Sequence, residues 1–407
     1  MAQPRDKAMA GGDQSDLSDR TFTLAVWLQE ALDTVKGKTL AQNYKEIGIN
    51  TYAGLWMWPR EDWAWKGFSV QTARALKDAG IKAYAGDDKN AVDWINGHPE
   101  FQNTIIGYLL GDEPDMNRNS GIKSVADENL PAAWKAKGDA LRALDKKRPI
   151  YANFGKPFAK DVWYKTEHGA AGSTQEKDFA LYVAPTTVIS SDFYGITDPY
   201  EPPENHGIWT YGRAVRNTRK YSGGRPVWGF VETSGPSRDA SSSNWMYQKI
   251  PPSLIMPIVW NMIINGAQGI VYFCHDFSPG PSNKGKYAAL LEPGMPEAIK
   301  SANESVMRYG AVLKAPTVSG TVAQSDGPVS VIALTKRFKG LTYIFAMGDG
   351  NSKYREGLEV NAKIIVKGES GVKKVTVLND SRTITMTNGA FTDHFKPYEH
   401  HVYRINK

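Results

Sequence analysis

Thr104-Ile105-Ile106-Gly107-Tyr108-Leu109-Leu110-Gly111-Asp112-Glu113-Pro114-Asp115 is an apolar run that ends abruptly in three acids around a proline. A strand half exposed in an antiparallel sheet alternates apolar and polar residues, and this run does not. It predicts a strand buried on both faces, as in a parallel sheet covered by helices. A second stretch, Pro226-Val227-Trp228-Gly229-Phe230-Val231-Glu232-Thr233-Ser234-Gly235, repeats the arrangement. Each places one glutamate where a buried strand stops.

Outward from these two stretches, apolar runs alternate with amphipathic ones. The expected strands are Thr23 to Trp27, Thr51 to Trp56, Ile81 to Ala85, the run into Glu113, Pro149 to Phe154, Val188 to Tyr194, Pro226 to Glu232, and Ile270 to His275. Helices are expected over Leu40 to Ile47, Val70 to Ala79 with Gly80 as its cap, Ala91 to Ile95, Leu130 to Leu144, Trp209 to Tyr221, Leu254 to Gly266 and Glu297 to Leu313. Eight such alternations match a (β/α)8 TIM barrel in count and length. After Ala315-Pro316 the period shortens to about 2, in runs such as Val329 to Leu334, Leu341 to Phe345, Ala362 to Val366, Lys374 to Leu378 and His401 to Ile405. The α/β barrel is therefore expected over 21–314, a small all-β antiparallel sandwich over 315–407, and a polar N-terminal tail over 1–20.

Composition excludes several classes. Hydrophobic residues make up 41% of the 407, as in ordinary globular proteins. No run approaches the roughly 18 apolar residues of a membrane span, so no membrane insertion is expected. The net charge of +6 is concentrated late: from Ala315 onward Lys and Arg number 13 against 8 Asp and Glu, and elsewhere 36 against 35. A nearly neutral barrel offers no basic stripe for nucleic acid. The lone Cys274 forbids an intrachain disulfide and reads as a buried, inert thiol. Seven histidines without His-x-x-x-His or comparable spacing give no metal site, and no cofactor is expected. His400 and His401 are expected at the surface. Residues 1–20 lack the apolar core of a secretory signal; a secreted or periplasmic location is expected only if a signal has been removed. Oligomeric state is not legible.

In a parallel barrel, chemistry gathers at the C-terminal ends of the strands, where glutamates from strands four and seven can face one pocket. Hydrolysis of a glycosidic bond needs that pairing: one carboxyl to protonate the leaving oxygen, another to act as nucleophile or base. An aldolase would need a Schiff-base lysine at the strand ends, and the loops after strands seven and eight lack a glycine-rich phosphate cradle. The competing reading is a carbohydrate-binding barrel without catalysis.

With Asp112-Glu113-Pro114, Glu232 and Asp192-Phe193-Tyr194-Gly195 in place, residues 20–314 resemble clan A of the glycoside hydrolases, retaining enzymes built on a (β/α)8 barrel. The resemblance implies Glu113 as acid/base, Glu232 as nucleophile, Tyr194 as support for the nucleophile, and an oligo- or polysaccharide as substrate. Asp112 stands where the clan carries an asparagine that binds the sugar 2-hydroxyl. The clan's strand-two arginine has no clear counterpart, although Arg60 is close in sequence, and its strand-eight tryptophan is replaced by Tyr272, Phe273 or His275.

Further substrate contacts are expected from Asp87, Asp192 and His275 at strand ends, and from Trp56 and Trp58 in a loop that also holds Trp63 and Trp65. Flat indoles stack on the C–H faces of sugar rings. Trp228, in mid-strand, is expected in the core. The segments Lys160 to Thr187 and Thr197 to His206 are expected to shape subsites.

Overall fold

A computed structural model of the chain describes residues 17–19, 21–55, 69–117, 127–160, 176–198, 201–235, 249–277 and 284–406. Among these residues, eight parallel strands form a closed barrel, each hydrogen-bonded to the next and the last to the first. They are β1 Thr23–Gln29, β2 Thr51–Leu55, β3 Lys82–Tyr84, β4 Ile105–Asp112, β5 Ile150–Phe154, β6 Val188–Ser191, β7 Val227–Glu232 and β8 Gly269–Phe273. Closure pairs Leu24 with Ile270 on one side of β1 and Ala25 with Thr51 on the other.

A helix follows each strand: α1 Leu40–Glu46, α2 Val70–Ala79, α3 Lys89–Gly97, α4 Pro131–Leu144, α5 Phe179–Val183, α6 Trp209–Tyr221, α7 Ile255–Ile264 and α8 Met295–Arg308. Their ends are chemically specified. Thr39 and Gln42 form a capping box on α1, and the Ser69 and Asp88 side chains accept backbone N–H groups at the starts of α2 and α3. Gly80 closes α2 at φ +65°, a conformation that side chains with a Cβ resist. The single closing helix expected from the sequence breaks at Tyr309 and resumes as Gly310–Lys314. The break admits the segment before β1: Asp19 N donates to the Met307 carbonyl and Ala311 N to that of Leu17.

Aromatic side chains fill the barrel. Tyr151 stacks on Trp228 at 4.8 Å, while Trp27 meets Phe230 edge-on at 5.6 Å. Trp228 is thus core, as expected, and burying each such ring stabilises the fold by about 1.5–3 kcal/mol. This packed layer is the floor on which the strand-end residues stand.

Eight further strands form an antiparallel sandwich: β9 Thr321–Ser325, β10 Val331–Phe338, β11 Leu341–Gly348, β12 Val360–Val366, β13 Val372–Val377, β14 Arg382–Thr387, β15 Ala390–Phe395 and β16 His400–Ile405. Their order is β9-β12-β15-β14-β13-β16-β11-β10. The outer strands return toward each other, with Thr335 Oγ1 and Thr321 Oγ1 hydrogen-bonded at 2.7 Å. One face of the sandwich closes its own core around Ile344, Ile364, Val375 and Phe391, and another packs on the barrel. There Trp260 of α7 stacks on Phe345 and on His400, and Asn261 Nδ2 donates to Asp349. The surface placement expected for the terminal histidines is corrected accordingly. His400 lies against Trp260, and His401, 3% exposed, is paired with Asp393 at 3.0 Å.

Candidate active site

The acidic run after β4 owes its geometry to a bulge. Register between β4 and β5 shifts between Leu109 and Gly111, after which Asp112 lies opposite Asn153. The next residue, Glu113, takes φ +44°, a left-handed conformation that costs a non-glycine residue about 1–3 kcal/mol. Two backbone bonds hold it there: Glu113 N donates to the Asn153 carbonyl at 2.8 Å, and Met116 N to that of Glu113 at 3.0 Å. The side chain passes over Gly155, where a Cβ would sit 3.0 Å from Glu113 Oε1.

Around Glu113 the acids cluster. Its carboxyl faces that of Asp192, with Asp112 and Asp115 close enough to act on it by charge. Burial first, and then the charge of Asp192, hold Glu113 well above the ordinary carboxylate range. Burial likewise pushes Asp115 to about 7, against two bonds accepted from Gly155 N at 3.0 and 3.2 Å. Asp112 is reached by solvent at the mouth but enclosed on its other sides by protein; that enclosure and Asp192 raise it to about 8. Asn153 binds the cluster together, donating to Asp112 at 2.9 Å and accepting from Ser190, itself bonded to Tyr151.

Glu232 closes β7 in a different setting. It is fully buried, and its Oε1 accepts from Tyr211 at 2.6 Å and from Thr197 at 3.1 Å, whereas Oε2 has no hydrogen-bond partner among the described residues. Burial raises it to about 7, and the two hydroxyl donors, which favour the ionised form, limit the rise. The two settings meet at Tyr194, whose phenol is acted on by Asp192, Glu113, Asp112 and Glu232 together.

The other expected residues divide. Asp192 joins Glu113 directly. Tyr194 donates to Asp192 at 3.1 Å, and the tyrosine that supports Glu232 is instead Tyr211 on α6. His275 lies two residues beyond β8 among Phe273 and Phe277, its Nε2 donating to the Leu28 carbonyl at 3.2 Å; burial lowers it to about 4, so it is neutral at physiological pH. Asp87 forms an ion pair with Lys137 of α4, which also donates to the Leu110 carbonyl of β4. Trp56, Trp58, Trp63, Trp65 and Arg60 lie outside the described residues. Cys274 is buried, its thiol pushed up to about 12.

Three participants carry no sequence motif. Asn153 is the one polar side chain inside the apolar run of β5, a signal that would have found it. Tyr211 and Thr197 give no such sign. The loop that carries Thr197 is pinned by buried ion pairs, Lys156 to Asp198 at 2.6 Å and Lys160 to Glu201 at 2.9 Å. Among the described residues no group of three or more His, Cys, Asp or Glu side chains has the arrangement of a metal site. None of the described helices is long and apolar enough to cross a membrane.

No protein-family model matches the sequence, and neither does any curated protein. Solved structures do match. A glycoside hydrolase family 5 protein from Bacteroides vulgatus aligns with a TM-score of 0.52 at 13% identity, covering 94% of this chain and 88% of its own. An α-amylase from Anoxybacillus gives 0.54 at 9% identity, covering 95% and 98%. For an α-L-arabinofuranosidase from Thermotoga maritima the values are 0.50 and 10%, with 95% and 97% covered. At these identities the likeness is one of fold, and each of the three alignments spans both the barrel and the following β-domain of this chain.

Proposed function

We propose that the protein is a glycosidase that cleaves a β-type glycosidic bond of an oligo- or polysaccharide with retention of configuration, Glu113 acting as acid/base and Glu232 as nucleophile. The observation that carries the reading is the contrast between two glutamates ending β4 and β7. Glu113 is surrounded by carboxyls that keep it protonated; Glu232 is held by hydroxyl donors that favour its anion. Environments that push two carboxyl pKa values apart assign acid and base. The named activities of the fold neighbours support a sugar substrate.

In the first step Glu232 attacks the anomeric carbon, the bond to the leaving oxygen breaks, and that oxygen takes the proton of Glu113. In the second, water attacks the same carbon, gives its proton to Glu113, and the ester to Glu232 breaks. Asp112, at the solvent side of the cluster, is assigned to a sugar hydroxyl, with Tyr194 and His275 lining the pocket. Trp56 and Trp58 are assigned to stacking on the sugar, and Asp87 to a more distant hydroxyl.

The test is hydrolysis of a panel of aryl and alkyl β-glycosides, with the first-formed anomer read by proton NMR. Retention is expected, together with a loss of about 10²–10⁴-fold in E113Q on alkyl glycosides and a smaller loss on nitrophenyl glycosides, which need no acid. An inverted product overturns the mechanism. Full activity in both E113Q and E232Q overturns the assignment of the pair, and no hydrolysis by the wild type returns the chain to the reading of a binding barrel.

A further inference from the structure

Consecutive residues of one strand fix the two acids that meet at the mouth. Asn153 O accepts from Glu113 N at 2.8 Å, and Phe154 O accepts from Asp192 N at 2.9 Å. The end of β5 thus clamps the residue after β4 and the residue after β6, so that their carboxyls face each other, that of Glu113 passing over Gly155. Tyr194 takes one oxygen of Asp192, Oδ2, as its acceptor at 3.1 Å. The other, Oδ1, is buried and outside any well-formed hydrogen bond among the described residues, while the nearby Asn153 amide also favours the Asp192 anion. Two buried carboxyl groups that face each other cannot both ionise without strong repulsion, so the pair is held most easily with one proton between them.

We propose that Asp192 is a positioning residue for the acid/base: Glu113 and Asp192 hold one proton between them, and the Tyr194 hydroxyl directs it onto Glu113 by stabilising Asp192 as the anion. Of the other titratable groups facing the pair, the carboxyls Asp112 and Asp115 beyond β4 resist a second negative charge; the remainder are the phenols Tyr151 on β5 and Tyr194 beyond β6, and Glu232 on β7, felt through Tyr194. When Glu113 gives its proton to the leaving oxygen, the pair is left with two facing carboxylates. Regaining the proton from the attacking water relieves that repulsion, so Asp192 drives the return half of the cycle. Its role in this reading is to hold Glu113 as an acid.

The kinetic consequence rests on the glycosidase reading; the shared proton does not. In D192N the substituted amide still accepts from Tyr194 through its oxygen, but its N–H donates to Glu113 and favours the Glu113 anion. Carbon-13 NMR of side-chain carboxyls, assigned with E113Q, follows Glu113 directly, whether or not a substrate is known. In the wild type, Glu113 should titrate well above the ordinary carboxylate range, and in D192N its midpoint should fall by about one unit or more. An unchanged midpoint overturns the proposal. So does a wild-type Glu113 that ionises in the ordinary carboxylate range, a result that needs no variant to fold.

In kinetics on alkyl glycosides, the basic limb of kcat/KM should move down by the same interval in D192N, while nitrophenyl substrates lose little. A uniform fall at all pH values with both limbs in place would mean that Asp192 is merely structural. If no glycoside is hydrolysed by the wild type, but the NMR midpoint shifts, the glycosidase reading fails and the shared proton stands.

Discussion

Tyr211→Phe removes one oxygen and keeps the ring, so its effect isolates the shorter of the two bonds to Glu232. In the native site Oε1 accepts from Tyr211 at 2.6 Å and from Thr197 at 3.1 Å, and Oε2 has no partner among the described residues that could compensate. A hydrogen bond to a charged group is worth about 1.5–3 kcal/mol. Because the bond favours the anion, losing it raises Glu232, and at about 1.4 kcal/mol per unit the rise is about 1–2 units. Glu232 starts at about 7, so its ionised fraction at neutral pH falls from about one half to between about one tenth and one hundredth. The rate should therefore drop about 5- to 50-fold at pH 7 and recover toward pH 9. The assay is kcat/KM against pH on a dinitrophenyl glycoside, whose leaving group needs no proton, so that the limb due to Glu113 does not intrude. Thr197→Val should move the same limb in the same direction by less. An acidic limb that stays in place while the rate falls at every pH would refute the assignment of Glu232 as the group that must ionise.

Gly138→Ala, normally favourable in a helix by about 1 kcal/mol, should instead destabilise by about 1–3 kcal/mol, because the new Cβ in α4 meets Pro185 and comes within 3.1 Å of Leu110. Urea denaturation measures it, and a stabilised variant would contradict the packing described. The Cys274 thiol, pushed up to about 12 by burial, should resist iodoacetamide in the folded protein and react only after unfolding; rapid native labelling would show otherwise. In the sandwich, burial alone would push His401 down and Asp393 up, but their mutual bond, with Glu399, Arg382 and Tyr403, reverses both shifts. The share due to His401 is full below about pH 6.5, its unfolded value, and is lost as pH rises through the raised folded one; that of Asp393 is present above about pH 3.9 and is lost on acidification. Thermal unfolding of the wild type should weaken from pH 6 to pH 9, and His401→Gln should flatten that decline; parallel curves would exclude the pair as its source.

The barrel was legible because strands buried on both faces leave continuous apolar runs, and a polar residue ending such a run marks the mouth. Boundaries slipped where the chain turns on specific bonds. The run read through Tyr194 stops as a strand at Ser191, since Asp192 N turns to Phe154 O. Three sandwich strands escaped for a related reason. Thr321–Ser325 and Arg382–Thr387 are largely half-exposed or exposed and carry few apolar side chains, and in Ala390–Phe395 the inward positions Phe391 and Phe395 flank a buried charge, Asp393. His401 looked like a surface residue because its partners, Asp393 and Arg382, arrive from other strands of the sheet. Within the site, Glu113 and Glu232 could be read from strand ends alone. Tyr211 could not, because which face of α6 meets Glu232 is set by barrel closure, 21 residues away along the chain.

Incubation with an activated 2-fluoro-β-glycoside, followed by mass mapping of the labelled peptide, tests the central assignment most directly. Glu232 should carry the sugar as an ester, formed in the wild type and absent in E232Q. A label on any other residue would contradict the account, as would rapid hydrolysis with inversion and no label at all.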